Sequence, residues 1–209
     1  MTLLIIFCFA VTMGVCLPGY INNKTGRWAM LLKWLGTAMG ALMGVIGALQ
    51  QGGAAWLCAA GLIVCAAADV VLERKFLPGM ACFAAGHACY IAWFLSRTPV
   101  GAGHGIAFAA LAAVALFTIH KWTGLFCKAA IPLLAYALFL CAMGACGAAG
   151  MMNGIAGALT AAGAVLFVAS DMMVYRGLLK PWGKTMDFVA MGTYYTAQLL
   201  LGCATLLGA

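Results

Sequence analysis

The sequence predicts an all-helical integral membrane protein, a bundle of about eight transmembrane helices that forms a single domain over residues 1–209. Hydrophobic residues make up 67% of the chain and charged residues only 7%, whereas soluble domains are about one quarter charged. In addition, apolar runs of about 20 residues, long enough to cross a bilayer, recur from one end of the chain to the other. We therefore expect the chain to be embedded in the lipid bilayer.

The apolar runs give the individual spans. The first run has no basic segment before it and no small-residue cleavage site, so we expect it to be retained as the first span. We find no convincing internal repeat, which gives an inverted-repeat transporter no support. The predicted spans cover approximately residues 2–20, 28–49, 53–72, 77–96, 102–119, 125–147, 150–175 and 186–207.

Three glycines in the second span predict a helix-packing surface. Gly36, Gly40 and Gly44 recur every four residues and therefore lie on one helix face. Small residues at this spacing let two membrane helices approach closely. We interpret this stripe as a packing surface rather than as a functional site.

The basic residues predict the orientation of the bundle. Eight of the eleven Lys and Arg residues lie in the connections after spans 1, 3, 5 and 7, whereas the connections after spans 2, 4 and 6 hold only Arg97. The positive-inside rule places the first set in the cytoplasm and both termini on the outer side. These residues are scattered singly, so the net charge of +7 predicts no nucleic-acid partner. We expect the protein in a bacterial inner membrane.

Four charged residues fall inside predicted spans at a similar depth. Asp69 and Asp171 each lie five residues before a basic residue that marks the cytoplasmic boundary, about 7–8 Å inside it. Lys33 and Lys128 lie about 9–11 Å inside the same boundary. A charge at mid-bilayer costs about 2.5–3.5 kcal/mol, so these groups should face the bundle interior and compensate one another. They could also be ion pairs that fix helix register, and Lys128 could extend to the headgroups.

A second polar layer lies deeper in the bundle. His87 and Tyr90 share one face of span 4, and Tyr194 and Gln198 share one face of span 8, beside Tyr195. With the charged residues, they predict a polar pocket that opens to the cytoplasm. A single histidine such as His87 is also often a core residue whose hydrogen bonds are satisfied inside the protein.

The other two acidic residues have simpler interpretations. Glu73 follows span 3 and is interpreted as a solvated loop charge. Asp187 stands at the start of span 8, where a carboxylate interacts favourably with a helix N-terminus.

Two carboxyl groups in a low-dielectric pocket can divide acid and base roles. Desolvation and mutual repulsion favour one protonated group, while its partner stays ionised and can activate water. The chain lacks a G-x-S-x-G elbow, a Gly-rich phosphate loop and the Cys or His spacing of a zinc site. Spacing alone therefore leaves two classes open, a membrane enzyme acting on a lipid-like substrate and a proton-coupled transporter.

Five segments of the chain carry a family resemblance. They are "GLIVCAAADVVLE" around Asp69, "FLPGMACFAAGHACYIAWF", "IPLLAYALFLCAM", "GAVLFVASDMMVY" around Asp171, and "GTYYTAQLLL". In this order, over about residues 61 to 201, they resemble the YhhN-type lysoplasmalogenase family of integral membrane proteins. The second span, with Lys33, also looks like the Lys-bearing helix of that family.

The resemblance implies hydrolysis of the vinyl-ether bond of a lysoplasmalogen, a lysophospholipid. The products would be a fatty aldehyde and a glycerophospho-ethanolamine or -choline, without a metal or organic cofactor. Asp69 and Asp171 would be the acid and the water-activating base, in an order left open. The other pocket residues, placed in the substrate-binding region, would be Lys33, His87, Tyr90, Lys128, Tyr194, Tyr195 and Gln198.

Overall fold

The computed structural model describes residues 1–24, 26, 28–123, 131–180 and 182–208. Of these residues, 88% are helical, and no strand occurs among them. The prediction of an all-helical polytopic bundle is therefore confirmed. Lys128 lies outside the described residues.

The described ranges contain eight long helical segments in sequence. The first rod contains a π-helical turn over Thr12–Cys16, between its two α-helical parts. The helices are α1 (Thr2–Asn22), α2 (Ala29–Gln51), α3 (Ala55–Arg74), α4 (Phe76–Leu95), α5 (Ala102–Thr123), α6 (Ile131–Ala149), α7 (Gly154–Leu179) and α8 (Lys184–Leu206).

The eighth helix differs from the others in its surroundings. The first seven rods are each long and apolar enough to cross a membrane. Helix α8 carries more polar groups, among them Tyr194, Tyr195 and Gln198, and all three are buried. A helix enclosed by other helices meets protein instead of lipid, so it can carry polar groups that find partners inside the bundle.

Six helices form a closed ring. Helix α2 packs on α3, α3 on α4, α4 on α6, α6 on α7, α7 on α8, and α8 returns to α2. Helix α1 packs outside α2 and α8, and α5 packs mainly outside α6. This arrangement encloses the polar faces of the inner helices and leaves apolar faces toward the lipid.

The glycine stripe of α2 forms a close helix contact, as predicted. A Cβ atom at Gly40 would lie 2.8 Å from the backbone oxygen of Gln198, and one at Gly36 would lie 2.6 Å from the Tyr195 ring. Gly44 instead faces Leu62 of α3. The absent side chains therefore bring α2 close to both α8 and α3.

Several helices extend beyond their predicted spans. Helix α3 continues to Arg74 instead of ending near residue 72, α5 continues to Thr123 instead of 119, and α7 covers Gly154–Leu179 instead of 150–175. Hydropathy marks where the chain leaves the hydrocarbon, whereas charged residues such as Arg74 continue a helix readily. Glu73 therefore lies on the last turn of a helix, not in a loop.

Both ends of the chain lie at the same end of the bundle. Cys8, near the start of α1, packs in one cluster with Cys203 and Leu206, near the end of α8. At the opposite end, Lys24 forms an ion pair with Asp187. That the termini face the outer side of the membrane stays a prediction.

Candidate active site

A cavity of about 540 Å³ lies between the helices at the end of the bundle opposite the termini. Asp69 of α3 and Asp171 of α7 both line it. Apolar side chains cover much of the remaining wall, including Phe83, Leu133 and Leu178. One cavity therefore brings together both predicted carboxyl groups and an apolar surface.

Asp69 is held by three neighbours on two other helices. The hydroxyls of Thr37 and Tyr194 donate hydrogen bonds to its Oδ2 atom, at 2.5 and 2.9 Å. The Lys33 ammonium lies 3.6 Å from its Oδ1 atom. The side chain of Asp69 is only 2% exposed, and these partners compensate the charge of its ionised form.

Lys33 is shared between two carboxylates. Its Nζ atom lies 2.9 Å from Oε1 of Glu73, and the Tyr20 hydroxyl donates to the same oxygen at 3.5 Å. Glu73 also lines the cavity, with its side chain 40% exposed. Glu73 is partly solvated, but its assignment to a loop was wrong, because α3 continues to Arg74 and its helical register places Glu73 one turn after Asp69 on the same face.

Asp171 lies in a different electrostatic setting. The Tyr136 hydroxyl donates to its Oδ2 atom at 2.6 Å. The Ser170 hydroxyl lies 3.5 Å from Oδ1 and has a closer acceptor in the Phe167 backbone oxygen at 3.0 Å. In the described ranges, no Lys or Arg lies within ion-pair distance of Asp171. Asp69 thus faces an ammonium, whereas Asp171 faces hydroxyl groups.

The deeper polar residues form a second layer behind the cavity wall. Tyr194 lines the cavity, and its hydroxyl accepts a hydrogen bond from Nε2 of Gln198 at 3.2 Å. Tyr90 donates to Oε1 of the same glutamine at 2.9 Å. His87 contacts the Tyr136 hydroxyl through Nε2 at 3.2 Å. His87, Tyr90 and Gln198 do not line the cavity themselves.

Tyr195 packs against α2 and not against the cavity. Its hydroxyl donates to the backbone oxygen of Lys33 at 3.2 Å, and its ring packs on Gly36. It is fully buried and does not line the cavity. Tyr195 therefore fixes the backbone of α2 beside the site.

The mouth of the cavity carries a third ion pair. Lys24 Nζ lies 2.6 Å from Oδ2 of Asp187, and the Trp182 indole donates to Oδ1 at 3.1 Å. Asp187 also lies in the first turn of α8, as predicted. The mouth therefore presents both signs of charge beside an aromatic ring.

Two partners of the carboxyl groups were missed in the sequence. Thr37 follows Lys33 by one helical turn, so the spacing rule that paired other polar residues could have found it. Tyr136 stands alone in the apolar run "IPLLAYALFL", where a single tyrosine gives no periodic signal. Only the packing of α6 on α7 shows that it faces Asp171.

Metal ligation has little support in this cavity. Within the described ranges, no three His, Cys, Asp or Glu residues are grouped as a metal site requires. The Asp69 carboxylate already has Lys33, Thr37 and Tyr194 as partners. The donor set suits proton transfer rather than ligation.

The fold and the cavity define a polytopic helical membrane protein with an enclosed acidic site. The sequence model of the YhhN family matches residues 28–205, and the chain belongs to that family.

Two curated relatives are similar to the chain. Lysoplasmalogenase TMEM86B of Sus scrofa is 33% identical over 146 residues, which cover 68% of this chain and 60% of that protein. Lysoplasmalogenase TMEM86B of Homo sapiens is 29% identical over 190 residues, covering 88% of this chain and 78% of that protein. No solved structure shows significant similarity.

Proposed function

We propose that this protein is a membrane-embedded hydrolase that cleaves the vinyl-ether bond of lysoplasmalogen-like lysophospholipids. The observation that carries the proposal is one cavity with two carboxyl groups in unlike settings, Asp69 beside an ammonium and Asp171 beside hydroxyls. Membership in the YhhN family and two relatives named lysoplasmalogenase support the substrate class.

The cavity suits an amphipathic substrate. Its apolar wall, with Phe83 and Leu133, would hold the alkenyl chain. Its mouth, with Lys24 and Asp187, would face the phosphate-bearing headgroup. The vinyl-ether bond joins these two parts of the lipid, so it would lie between the mouth and the apolar wall, near the carboxyl groups.

We assign the acid role to Asp171 and the base role to Asp69. Among the described residues, Asp171 is buried with hydroxyl partners and no cation at ion-pair distance, which favours a protonated carboxyl, whereas the Lys33 ammonium favours an ionised Asp69. Asp171 transfers its proton to the second carbon of the alkenyl chain, and the first carbon becomes an oxocarbenium ion. Asp171 is then a carboxylate.

Water completes the cycle and restores both groups. The water oxygen bonds to the oxocarbenium carbon while Asp69 accepts the proton that water loses. The hemiacetal then collapses, as Asp69 returns that proton to the glycerol oxygen and Asp171 accepts the hemiacetal hydroxyl proton. The products are a fatty aldehyde and a glycerophospho-alcohol, and one water molecule is consumed.

Purified protein in detergent tests the reaction directly. We expect aldehyde release from lysoplasmalogen and none from the saturated alkyl-ether analogue, which cannot form the oxocarbenium ion by protonation. In D2O, the aldehyde should carry one deuterium on its second carbon from the protonation step. Absence of aldehyde from every alkenyl lipid, together with flux driven by a pH gradient in liposomes, would instead support a proton-coupled transporter.

A further inference from the structure

Three polar side chains connect three helices behind the cavity. His87 of α4 contacts the hydroxyl of Tyr136 of α6 at 3.2 Å, and that hydroxyl donates to Oδ2 of Asp171 of α7 at 2.6 Å. His87 is fully buried. The chain of contacts therefore runs from the bundle interior to one of the two cavity carboxyls.

The direction of this chain follows from proton counting. A tyrosine hydroxyl has one proton, and Tyr136 gives it to Oδ2 of Asp171, an oxygen that accepts both in the carboxylate and in a carboxylic acid protonated on Oδ1. The contact with His87 then requires a proton on Nε2, because Tyr136 can only accept there. His87 Nδ1 has no partner among the described residues, so the neutral ring with a bare Nδ1 avoids a buried orphan N–H.

Aromatic rings fix the imidazole in this orientation. The Phe167 ring lies edge-on at 4.7 Å from the His87 ring, and Phe83 is stacked at 6.4 Å. Tyr90, which is 6.2 Å away, uses its hydroxyl on Gln198. The residues around the ring therefore keep Nε2 pointed at Tyr136.

We propose that His87 and Tyr136 are positioning residues that form a one-way donor chain ending at Asp171. Oδ2 accepts from Tyr136, whereas the Ser170 hydroxyl near Oδ1 has its closer acceptor in the Phe167 carbonyl, so the transferable proton of Asp171 resides on Oδ1. After that proton leaves, the chain stabilises the carboxylate, with the His87 N–H strengthening the Tyr136 hydrogen bond. The acid role of Asp171 rests on the proposed function, whereas the direction of the chain rests on the hydrogen bond that Oδ2 accepts from Tyr136.

Nitrogen NMR tests the direction without any substrate. Histidine-selective ¹⁵N labelling should show His87, identified by loss of its signal in His87→Gln, as the neutral form with the proton on Nε2. Tyr136→Phe removes the acceptor and should shift the Nε2 resonance. A proton on Nδ1, an imidazolium, or a resonance unchanged by Tyr136→Phe would overturn the proposal.

Kinetics test the function of the chain. Tyr136→Phe should lower kcat by about 10- to 100-fold with KM within about twofold, the loss expected for a hydrogen bond to a charged group. His87→Leu should lower kcat, whereas His87→Gln should restore much of the rate because a glutamine amide can donate from a similar position. Equal losses in the Leu and Gln variants would show a packing role instead.

Failure of the proposed hydrolysis and failure of the proposed donor chain would give different results. If the wild-type protein releases no aldehyde, the proposed hydrolysis fails, and NMR alone decides the direction of the chain. If the wild-type protein is active and Asp171→Asn is not, but Tyr136→Phe keeps full kcat, the donor chain fails and the hydrolase assignment stands.

Discussion

Replacing Lys33 by Met removes the cation of the site while keeping a similar side-chain volume. Lys33 is 7% exposed and lies 3.6 Å from Asp69. Leaving a buried charge without its partner costs about 3–5 kcal/mol. Asp69 keeps two hydroxyl donors and can take up a proton, so we expect the free energy of unfolding to fall by about 3 kcal/mol. This corresponds to a fall in Tm of roughly 6–12 °C.

A double substitution shows whether the unpaired Asp69 carboxylate causes this loss of stability. The double variant Lys33→Met/Asp69→Asn lacks both charges. Its loss of stability should therefore be about 1.5–3 kcal/mol smaller than the sum of the two single-variant losses. Lys33→Met with Glu73→Gln is the matched control. Glu73 is 40% exposed, so water replaces its partner and recovery should stay below about 1 kcal/mol.

Thermal unfolding in one detergent, followed by tryptophan fluorescence, measures the three single variants and both double variants. Losses that simply add in the Lys33–Asp69 pair would refute the electrostatic account of the site. If the double variant with Glu73→Gln recovered more stability than the one with Asp69→Asn, Lys33 would interact mainly with Glu73 at the mouth of the cavity.

Further predictions concern packing, the mouth and orientation. Gly40→Ala should destabilise by about 1–3 kcal/mol by separating α2 from α8, whereas Gly103→Ala, where a Cβ meets nothing within 4 Å, should be neutral or stabilising in thermal unfolding. Lys24→Ala should change Tm by less than about 2–4 °C, because its ion pair with Asp187 is partly exposed, but should raise KM for phosphate-bearing lysolipids in the aldehyde assay. A reporter fused to the C-terminus should read out on the non-cytoplasmic side, and a cytoplasmic signal would reverse the predicted orientation.

The sequence predicted the fold and the depth of the site because both depend on one-dimensional patterns. Apolar run length gave eight helices, and counting residues from basic boundaries placed Asp69 and Asp171 at one depth, where one cavity now contains both. The same counting could not show which residues face them, since that depends on how each helix is rotated. Lys33 was assigned by depth and lies beside Asp69.

The partners of Asp171 could not be predicted, because they come from packing between distant helices. Tyr136 gives no signal in its apolar run, yet it links Asp171 to His87. Glu73 was misinterpreted because hydropathy placed the end of α3 before it, whereas the helix continues to Arg74. Tyr90 and Gln198 were expected to line the pocket, but they support Tyr194 from behind its wall.

The rate of aldehyde release by Asp69→Asn and Asp171→Asn variants tests the division of acid and base roles most directly. Each variant should retain its fold, judged by thermal unfolding, and should release aldehyde from lysoplasmalogen about 10²–10⁴-fold more slowly than the wild-type protein. Undiminished release by both folded variants would contradict the account, because the carboxyl pair would then have no part in breaking the vinyl-ether bond.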